Sequence, residues 1–453
     1  MKVNVKKSVL IFLLAALLLS SFIGCELFEN EESSSRSEGS GSTIDVVSET
    51  ESAESSVNVS KEESEETSEA AKDTVASFLA CPDNIIHPSV FYDAINRAAE
   101  KNGTSPKYTD LANADYDFFP IYEFVKDAIE KADVSYINQE TLVGGTAGSI
   151  SGYPRFNSPD AIAYTDIALG FDVVNVAHNH MLDSSTGAYL KNCAELFDRE
   201  GLTVIGYYPD SDSTIIIPIV ESNGIKIGFL AYTYGTNGIK LQGNSSIVIP
   251  YLDRNLVTKQ VKLAKEQADF VIVSCHWGNE DSFNADSQQK EYSALMTELG
   301  VDVVLGMHPH VIQPMEMREN ADGHKTLVVY SLGNFVSGMV SGKNLLAGML
   351  SLDIIKDGET GEIYMDAVQF IPTVTHYEKK DKVASNDTGY RNFKIYYLDD
   401  YTEDLAAKHG VVNYEHSHDS TLVGGKFSLA NLYNTLYKYI PEEFLPEEVK
   451  KAA

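Results

Sequence analysis

From Thr74 onward, short apolar runs of strand length alternate with longer stretches whose apolar positions recur at helical spacing, the signature of an α/β fold. The strand runs fall at residues 75–80, 134–137, 173–177, 202–205, 226–232, 270–275, 301–305 and 327–331. Helices are predicted at residues 120–131, 159–169, 186–199, 253–267 and 287–299. After Thr373 a Tyr- and charge-rich segment, residues 374–453, carries predicted helices at 429–439 and 446–452 and reads as an elaboration packed on the main domain, residues 74–373.

The first 73 residues follow a different pattern. A positive start, Met1-Lys2-Val3-Asn4-Val5-Lys6-Lys7, precedes an apolar run at 9–19 that is short for a bilayer span, which predicts an export signal. Gly24 stands directly before Cys25, as in the box cut by bacterial lipoprotein signal peptidase, with Phe22 where Leu is usual. Lipidation at Cys25 is expected, with a plain signal peptide or a short N-terminal anchor as alternatives. All three place the body outside the cytoplasm, and the first attaches it to the membrane by a lipid anchor only. Residues 26–73 hold fifteen acidic against three basic residues and no aromatic beyond Phe28, which predicts a disordered, self-repelling tether; filler without a spacing role is the alternative.

The net charge of −31 disfavours nucleic acid, whose phosphates would be repelled. A site for anionic substrates must therefore supply its own positive charge, which bound metal ions would do. With Cys25 set aside, Cys81, Cys193 and Cys275 are an odd set that implies no disulfide framework.

The candidate chemistry sits just after the predicted strands, where ligand sites of α/β sheets assemble. Asp83 follows the first strand, Asn138 and Glu140 the second, and His178, Asn179, His180 and Asp183 the third. His276 follows the sixth run and His308 and His310 follow the seventh, so six of eleven histidines, counting His87, lie in or beside such turns. One such histidine is more often a packing residue than a ligand, but together they point to a metal site. Imidazoles with carboxylate or amide oxygens suit one or two divalent ions such as Mn, Zn or Fe, and thiolates are absent apart from Cys275, whose side chain should alternate away from that of His276. Arg155 is the nearest cation for an anionic substrate group, with a surface ion pair as its alternative role; Asn138 is a second candidate substrate contact. His416-Ser417-His418 has metal-like spacing but no partners in sequence and reads as a solvated loop.

Six blocks resemble, in order, those of CapA-type proteins of capsular poly-gamma-glutamate synthesis. They are Asp83-Asn84-Ile85-Ile86-His87, Asn138-Gln139-Glu140-Thr141, the run Ala177 to Asp183, His276-Trp277-Gly278-Asn279-Glu280, Gly306-Met307-His308-Pro309-His310 and Tyr330-Ser331-Leu332-Gly333-Asn334-Phe335. The resemblance implies a four-layer α-β-β-α sandwich of the metallo-dependent phosphatase (calcineurin-like) type. It also implies that Glu140 bridges two metals, that Asn179, His276 and His308 hold one, and that Asp83 with His310 holds the other. His180, oriented by Asp183, would be the general acid. Pro82 replaces the Gly that usually precedes the first Asp, and Ile85 the His of an Asp-x-His pair, so the first metal is short of a ligand unless His87 supplies it.

Three functions are therefore expected in order. The first is a metal-dependent hydrolase or transferase acting at the cell surface on an anionic polymer such as poly-gamma-glutamate. The second is a non-catalytic, metal-binding subunit of a membrane synthesis and export complex. The third is a generic extracellular phosphoesterase.

Overall fold

The structure, a computed structural model, describes residues 72–413 and 421–450. The expected export signal, Cys25, nearly all of the expected tether and His416–His418 lie outside them. Fourteen strands and eight α-helices are formed by the described residues. The strands are β1 (Thr74–Asn84), β2 (Val134–Asn138), β3 (Val173–Asn175), β4 (Thr203–Ile205), β5 (Ile219–Ser222), β6 (Ile225–Thr233), β7 (Phe270–His276), β8 (Val303–Met307), β9 (Met315–Glu319), β10 (Lys325–Val329), β11 (Asn334–Val336), β12 (Leu346–Lys356), β13 (Ile363–Lys379) and β14 (Tyr390–Tyr397). The helices are α1 (Pro88–Asn102), α2 (Lys126–Lys131), α3 (Asp160–Leu169), α4 (Ala188–Arg199), α5 (Arg254–Gln267), α6 (Ser287–Glu298), α7 (Glu403–Lys408) and α8 (Leu429–Tyr439).

One sheet runs β14-β13-β12-β1-β2-β3-β4, with β11 pairing β1 beyond the end of β12; the other runs β5-β6-β7-β8-β10-β9. The parallel strands β1 to β4 and β6, β7, β8 and β10 form the centres, and antiparallel strands flank them. Two-residue alternation assigns each strand side chain to a layer. Phe78, Ala80 and Tyr136 of the first sheet share one core with Ile227, Phe229, Ala231 and Ile272 of the second, so the two sheets face each other. Their neighbours Leu79, Cys81 and Ile137 point the other way, onto α1 to α4, where Val90, Phe91, Ile162 and Phe197 cover them. Leu230, Tyr232, Val271 and Val273 likewise turn outward onto Val257 and Val261 of α5 and Met296 of α6. This is the four-layer α-β-β-α sandwich.

Local sequence explains where the outer helices begin. The Asp253 side chain accepts from the N–H groups of Asn255 and Leu256 to start α5, and Asp286 with Gln289 forms a capping box at α6. Cys81, Cys193 and Cys275 are free and buried, and Cys275 faces Met296 among the helices, away from His276.

Three expectations are corrected. The helix expected at 120–131 is α-helical only over Lys126–Lys131, because the chain around Pro120 forms a 3₁₀ turn, Phe119–Ile121. The helix expected at 446–452 is a 3₁₀ turn at Glu447–Val449 in its described part. The domain boundary at Thr373 falls inside β13, which pairs with β12 on one side and β14 on the other. Residues past 373 therefore build the main sheet as well as pack on it.

Candidate metal centre

The carboxyl-terminal ends of strands from both sheets meet at one edge of the sandwich and bring the expected donors together. Asp83 lies near the end of β1, Glu140 two residues past β2, and Asn179 in the turn after β3. His276 ends β7, and His308 and His310 follow β8. All six are buried. Donor atoms of Glu140, His308 and His310 lie within 4.8 Å of one another, as do those of Asp83, Glu140 and His276. Glu140 belongs to both groups, and its Oε1 lies 3.7 Å from the Nε2 atoms of His276 and His310. Asn179 Oδ1 is 3.1 Å from His276 Nε2.

His308 and His310 adopt left-handed backbone conformations, φ 95° and 56°, which are costly for residues with a β-carbon. Hydrogen bonds hold them there. The His308 N–H donates to Asp83 Oδ2 at 3.1 Å, and the Asn344 amide donates to the His310 carbonyl at 3.1 Å. Asn334 Oδ1 sits 3.0 Å from His310 Nδ1 and fixes that ring. The Tyr234 ring packs on His308, 4.6 Å between centroids.

Electrostatics fit a cation. Burial, reinforced by neighbouring imidazoles, holds His276 and His308 well below the ordinary histidine range, so both are the neutral form that ligates metals. Burial also drives Glu140 well above the usual carboxylate range against the pull of His310, with Asp83 and Glu280 pushing the same way as burial. Burial lowers His310, but Glu140 and Asp83 outweigh it and hold the ring up at about 10. Glu140 Oε2, His276 Nδ1 and His308 Nδ1 are buried with no hydrogen-bond partner among the described residues. Orphaned buried polar atoms cost about 1–3 kcal/mol each, and a cation would meet the unpaired carboxylate oxygen directly.

Beside the cluster, His180 Nδ1 lies 2.9 Å from Asp183 Oδ2, which also accepts the Phe156 N–H at 2.6 Å. The Phe156 ring packs edge-on against His180, 4.8 Å between centroids. Four further residues, Asn138, His87, Arg155 and Trp277, lie outside the two donor groups. Asn138 is buried, donates to Asp83 Oδ1 at 2.7 Å and accepts from Asn175 at 2.7 Å, so its side chain supports the carboxylate. His87 is not brought into either donor group; its Nδ1 accepts the Gly338 N–H at 3.2 Å and its ring meets Phe156. Arg155 is exposed, and its side chain makes no hydrogen bond or ion pair among the described residues. Trp277 packs among the helices and donates to the Tyr330 carbonyl at 3.0 Å, away from the cleft. Asn334 was missed as a site residue although it lies in a strand-end block; its signal is the Gly333-Asn334 pair following β10.

Residues 78–339 match the family described as "Bacterial capsule synthesis protein PGA_cap". The chain belongs to this family. Among relatives, it is 28% identical over 217 residues to the "PGA biosynthesis protein CapA" of Bacillus subtilis (strain 168), covering 48% of this chain and 55% of that protein. It is 30% identical over 175 residues to the "Capsule biosynthesis protein CapA" of Bacillus anthracis, covering 37% of this chain and 40% of that protein. The chain thus spans about half the length of the curated relatives it matches. Similar solved structures include a 5'-nucleotidase precursor from Thermus thermophilus, with a TM-score of 0.37 and 13% identity, covering 66% of this chain and 54% of that one. They also include the calcineurin-like phosphoesterase YfkN from Bacillus subtilis, with a TM-score of 0.36 and 12% identity, covering 81% and 96%.

Proposed function

We propose that this capsule-synthesis family member is a metal-dependent hydrolase or transferase that acts on an anionic envelope polymer, with poly-gamma-glutamate the first candidate. The observation that carries this reading is the pair of buried donor groups sharing Glu140. Asp83, Glu140, Asn179, His276, His308 and His310 would hold one or two divalent ions, Mn, Zn or Fe. A bound divalent cation supplies positive charge opposite the charge that develops on a reacting oxygen. His180, with Nδ1 committed to Asp183, keeps Nε2 for exchanging a proton with a leaving group. Asp183 is fixed in turn by the Phe156 N–H, so the dyad is oriented from the backbone.

The sequence pattern of residues 1–25, a positive start, a short apolar run and Gly24-Cys25, supports placing the protein on the extracytoplasmic face of the membrane by a lipid anchor. No helix among the described residues is long and apolar enough to cross a membrane.

A second reading, a metal-binding subunit without turnover in a polymer synthesis and export complex, is favoured by the first-strand turn. Ile85 offers no ligand there, and His87 lies outside the donor groups. The deciding experiment measures bound metal and chain-length change of poly-gamma-glutamate for the purified protein beside Glu140→Gln and His308→Ala. Metal and turnover in wild type, both lost in the variants, support catalysis. Metal without turnover moves the second reading ahead, and absence of metal refutes the donor set.

A further inference from the structure

A cavity of about 310 Å³ adjoins the metal centre, lined by His87, Ser89, Tyr153, Gly338, Asn386 and Thr388. Rings packed edge-on connect it to the centre: His87 meets Phe156 at 5.4 Å, and Phe156 meets His180 at 4.8 Å. Its far wall is the turn between β13 and β14, which lies beyond residues 78–339 that match the family.

That wall is anchored from beneath. Asp387 is buried and takes two hydrogen bonds from Arg391, at 2.6 and 3.1 Å, and one from Ser89 Oγ at 2.9 Å. The Thr388 N–H donates back to Ser89 Oγ at 3.1 Å, tying the turn to the start of α1. Ser89 and Asp387 are thus committed to structure, and the lining presents no charged side chain among the described residues.

The groups left free are donors. His87 Nδ1 accepts from Gly338, so in the neutral ring Nε2 carries the proton. Asn386 Oδ1 accepts from the Tyr92 hydroxyl at 3.3 Å, which leaves its NH₂. Tyr153 is 77% exposed, two residues from Arg155, which is exposed and makes no ion pair among the described residues. Neutral donors within, and an exposed cation two residues along the chain from Tyr153, suit a ligand that offers carbonyl oxygens along its backbone and carboxylates along its flank.

We propose that this cavity is a subsite for the repeat next to the one at the metal centre of an acidic polyamide, with Asn386, Tyr153 and His87 donating to its carbonyl oxygens. The β13–β14 turn then sets which stretch of polymer lies at the reacting position. This rests on the polymer reading above and adds the residues that read the chain.

The test uses the full-length protein and measures binding of a short gamma-glutamate oligomer and, separately, of inorganic phosphate as a single anion for the metal centre. Asn386→Ala and Tyr153→Ala both alter exposed positions outside the donor set, and metal content and the unfolding midpoint serve as folding controls. The expected result is oligomer Kd raised about threefold to tenfold by each variant, from one lost neutral hydrogen bond apiece, with phosphate affinity and metal content unchanged. Equal oligomer binding by wild type and both variants overturns the subsite and leaves the polymer reading intact. Failure of wild type itself to bind the oligomer, while it retains metal and phosphate, overturns the polymer reading and the subsite with it.

Discussion

Gly306→Ala isolates the backbone geometry on which the histidines that follow β8 depend. A β-carbon at Gly306 would lie 1.9 Å from the Tyr330 carbonyl oxygen, 2.4 Å from its carbonyl carbon and 2.6 Å from the Val329 oxygen. All three are backbone atoms, so no side chain can swing aside. Ordinary contact begins near 3.4 Å, so β8 and the end of β10 must part by roughly an ångström or more. That separation breaks the bond from the Leu332 N–H to Gly306 O, 3.2 Å, and strains the parallel pairing of Val303, Val304 and Leu305 with β10. One lost hydrogen bond at about 1 kcal/mol and overpacking at about 1–3 kcal/mol give a destabilisation of about 2–4 kcal/mol. In a domain of this size each kcal/mol moves Tm by only about 1–2 °C.

The effect on the site should exceed the effect on stability. His308 is two residues on, and a shift of an ångström is large against the roughly 0.5 Å tolerance of a ligand constellation. The assay is metal bound per chain by elemental analysis, with the denaturant midpoint measured on the same preparation. Gly235→Ala is the control, because its φ is ordinary and no atom lies within 4 Å of the added carbon. A Gly306→Ala protein with full metal content and a stability within about 0.5 kcal/mol of wild type would refute the reasoning.

Asp183→Asn should leave metal content unchanged and lower turnover about 100-fold, because His180 loses the carboxylate that fixes its ring; unchanged turnover would remove the dyad from the mechanism. Asp387→Asn leaves the Arg391 charge buried without its partner and should cost about 3–5 kcal/mol of unfolding free energy; a loss under about 1 kcal/mol would show that other contacts hold the turn. Burial lowers His376 to about 4 and His409 to about 3, so between those values and pH 6.5 the unfolded chain binds protons that the folded chain does not. Stability should therefore fall as pH drops from 6.5 towards 3, by roughly 3 kcal/mol from His376 and roughly 5 kcal/mol from His409, and be indifferent to these two groups above pH 7. His409→Gln, compared with wild type by denaturant midpoint at pH 7, 5 and 4, should flatten the decline; parallel curves would show that His409 does not contribute.

The parallel centre of both sheets was legible because β1 to β4, β6 to β8 and β10 are short apolar runs broken by helical stretches. The antiparallel flank was not. In β13 buried and exposed positions alternate irregularly before a continuous buried stretch, so the strand carries no single period. The helix α1 starts immediately after the first site block, and its Pro88 at the first turn reads equally as a loop. Within the site, strand-end position identified the ligand-type side chains but not their orientation. Asn138 reads as a cleft residue because it ends β2, yet its side chain turns to Asp83 and Asn175. The role of Asn334 depends on β11 pairing with β1 in a register that sets Asp83 opposite Asn334, a contact between distant parts of the chain that local pattern does not encode.

The donor set is divided between the sheets, and this determines what sets its geometry. Asp83, Glu140 and Asn179 lie at or just past strand ends of the eight-stranded sheet, while His276, His308 and His310 lie at or just past strand ends of the six-stranded one. Direct contacts across the divide at the site include the His308 N–H to Asp83, Asn179 Oδ1 to His276 Nε2 at 3.1 Å, and the near approaches of His276 to Glu140 and of His310 to Glu140 and Asp83. Below them the interface is mainly apolar, with Phe78 of one sheet 6.2 Å from Phe229 of the other and a polar contact, Tyr136 hydroxyl to Ser274 Oγ at 2.8 Å, near the site. Each such buried ring contributes about 1.5–3 kcal/mol, whereas a single neutral hydrogen bond contributes about 1 kcal/mol net. The spacing of the sheets is thus fixed by the shared core, and the donors inherit it. The left-handed turns at His308 and His310 are tolerated in that setting, because a rigid sandwich holds them in place on both sides before any ion arrives.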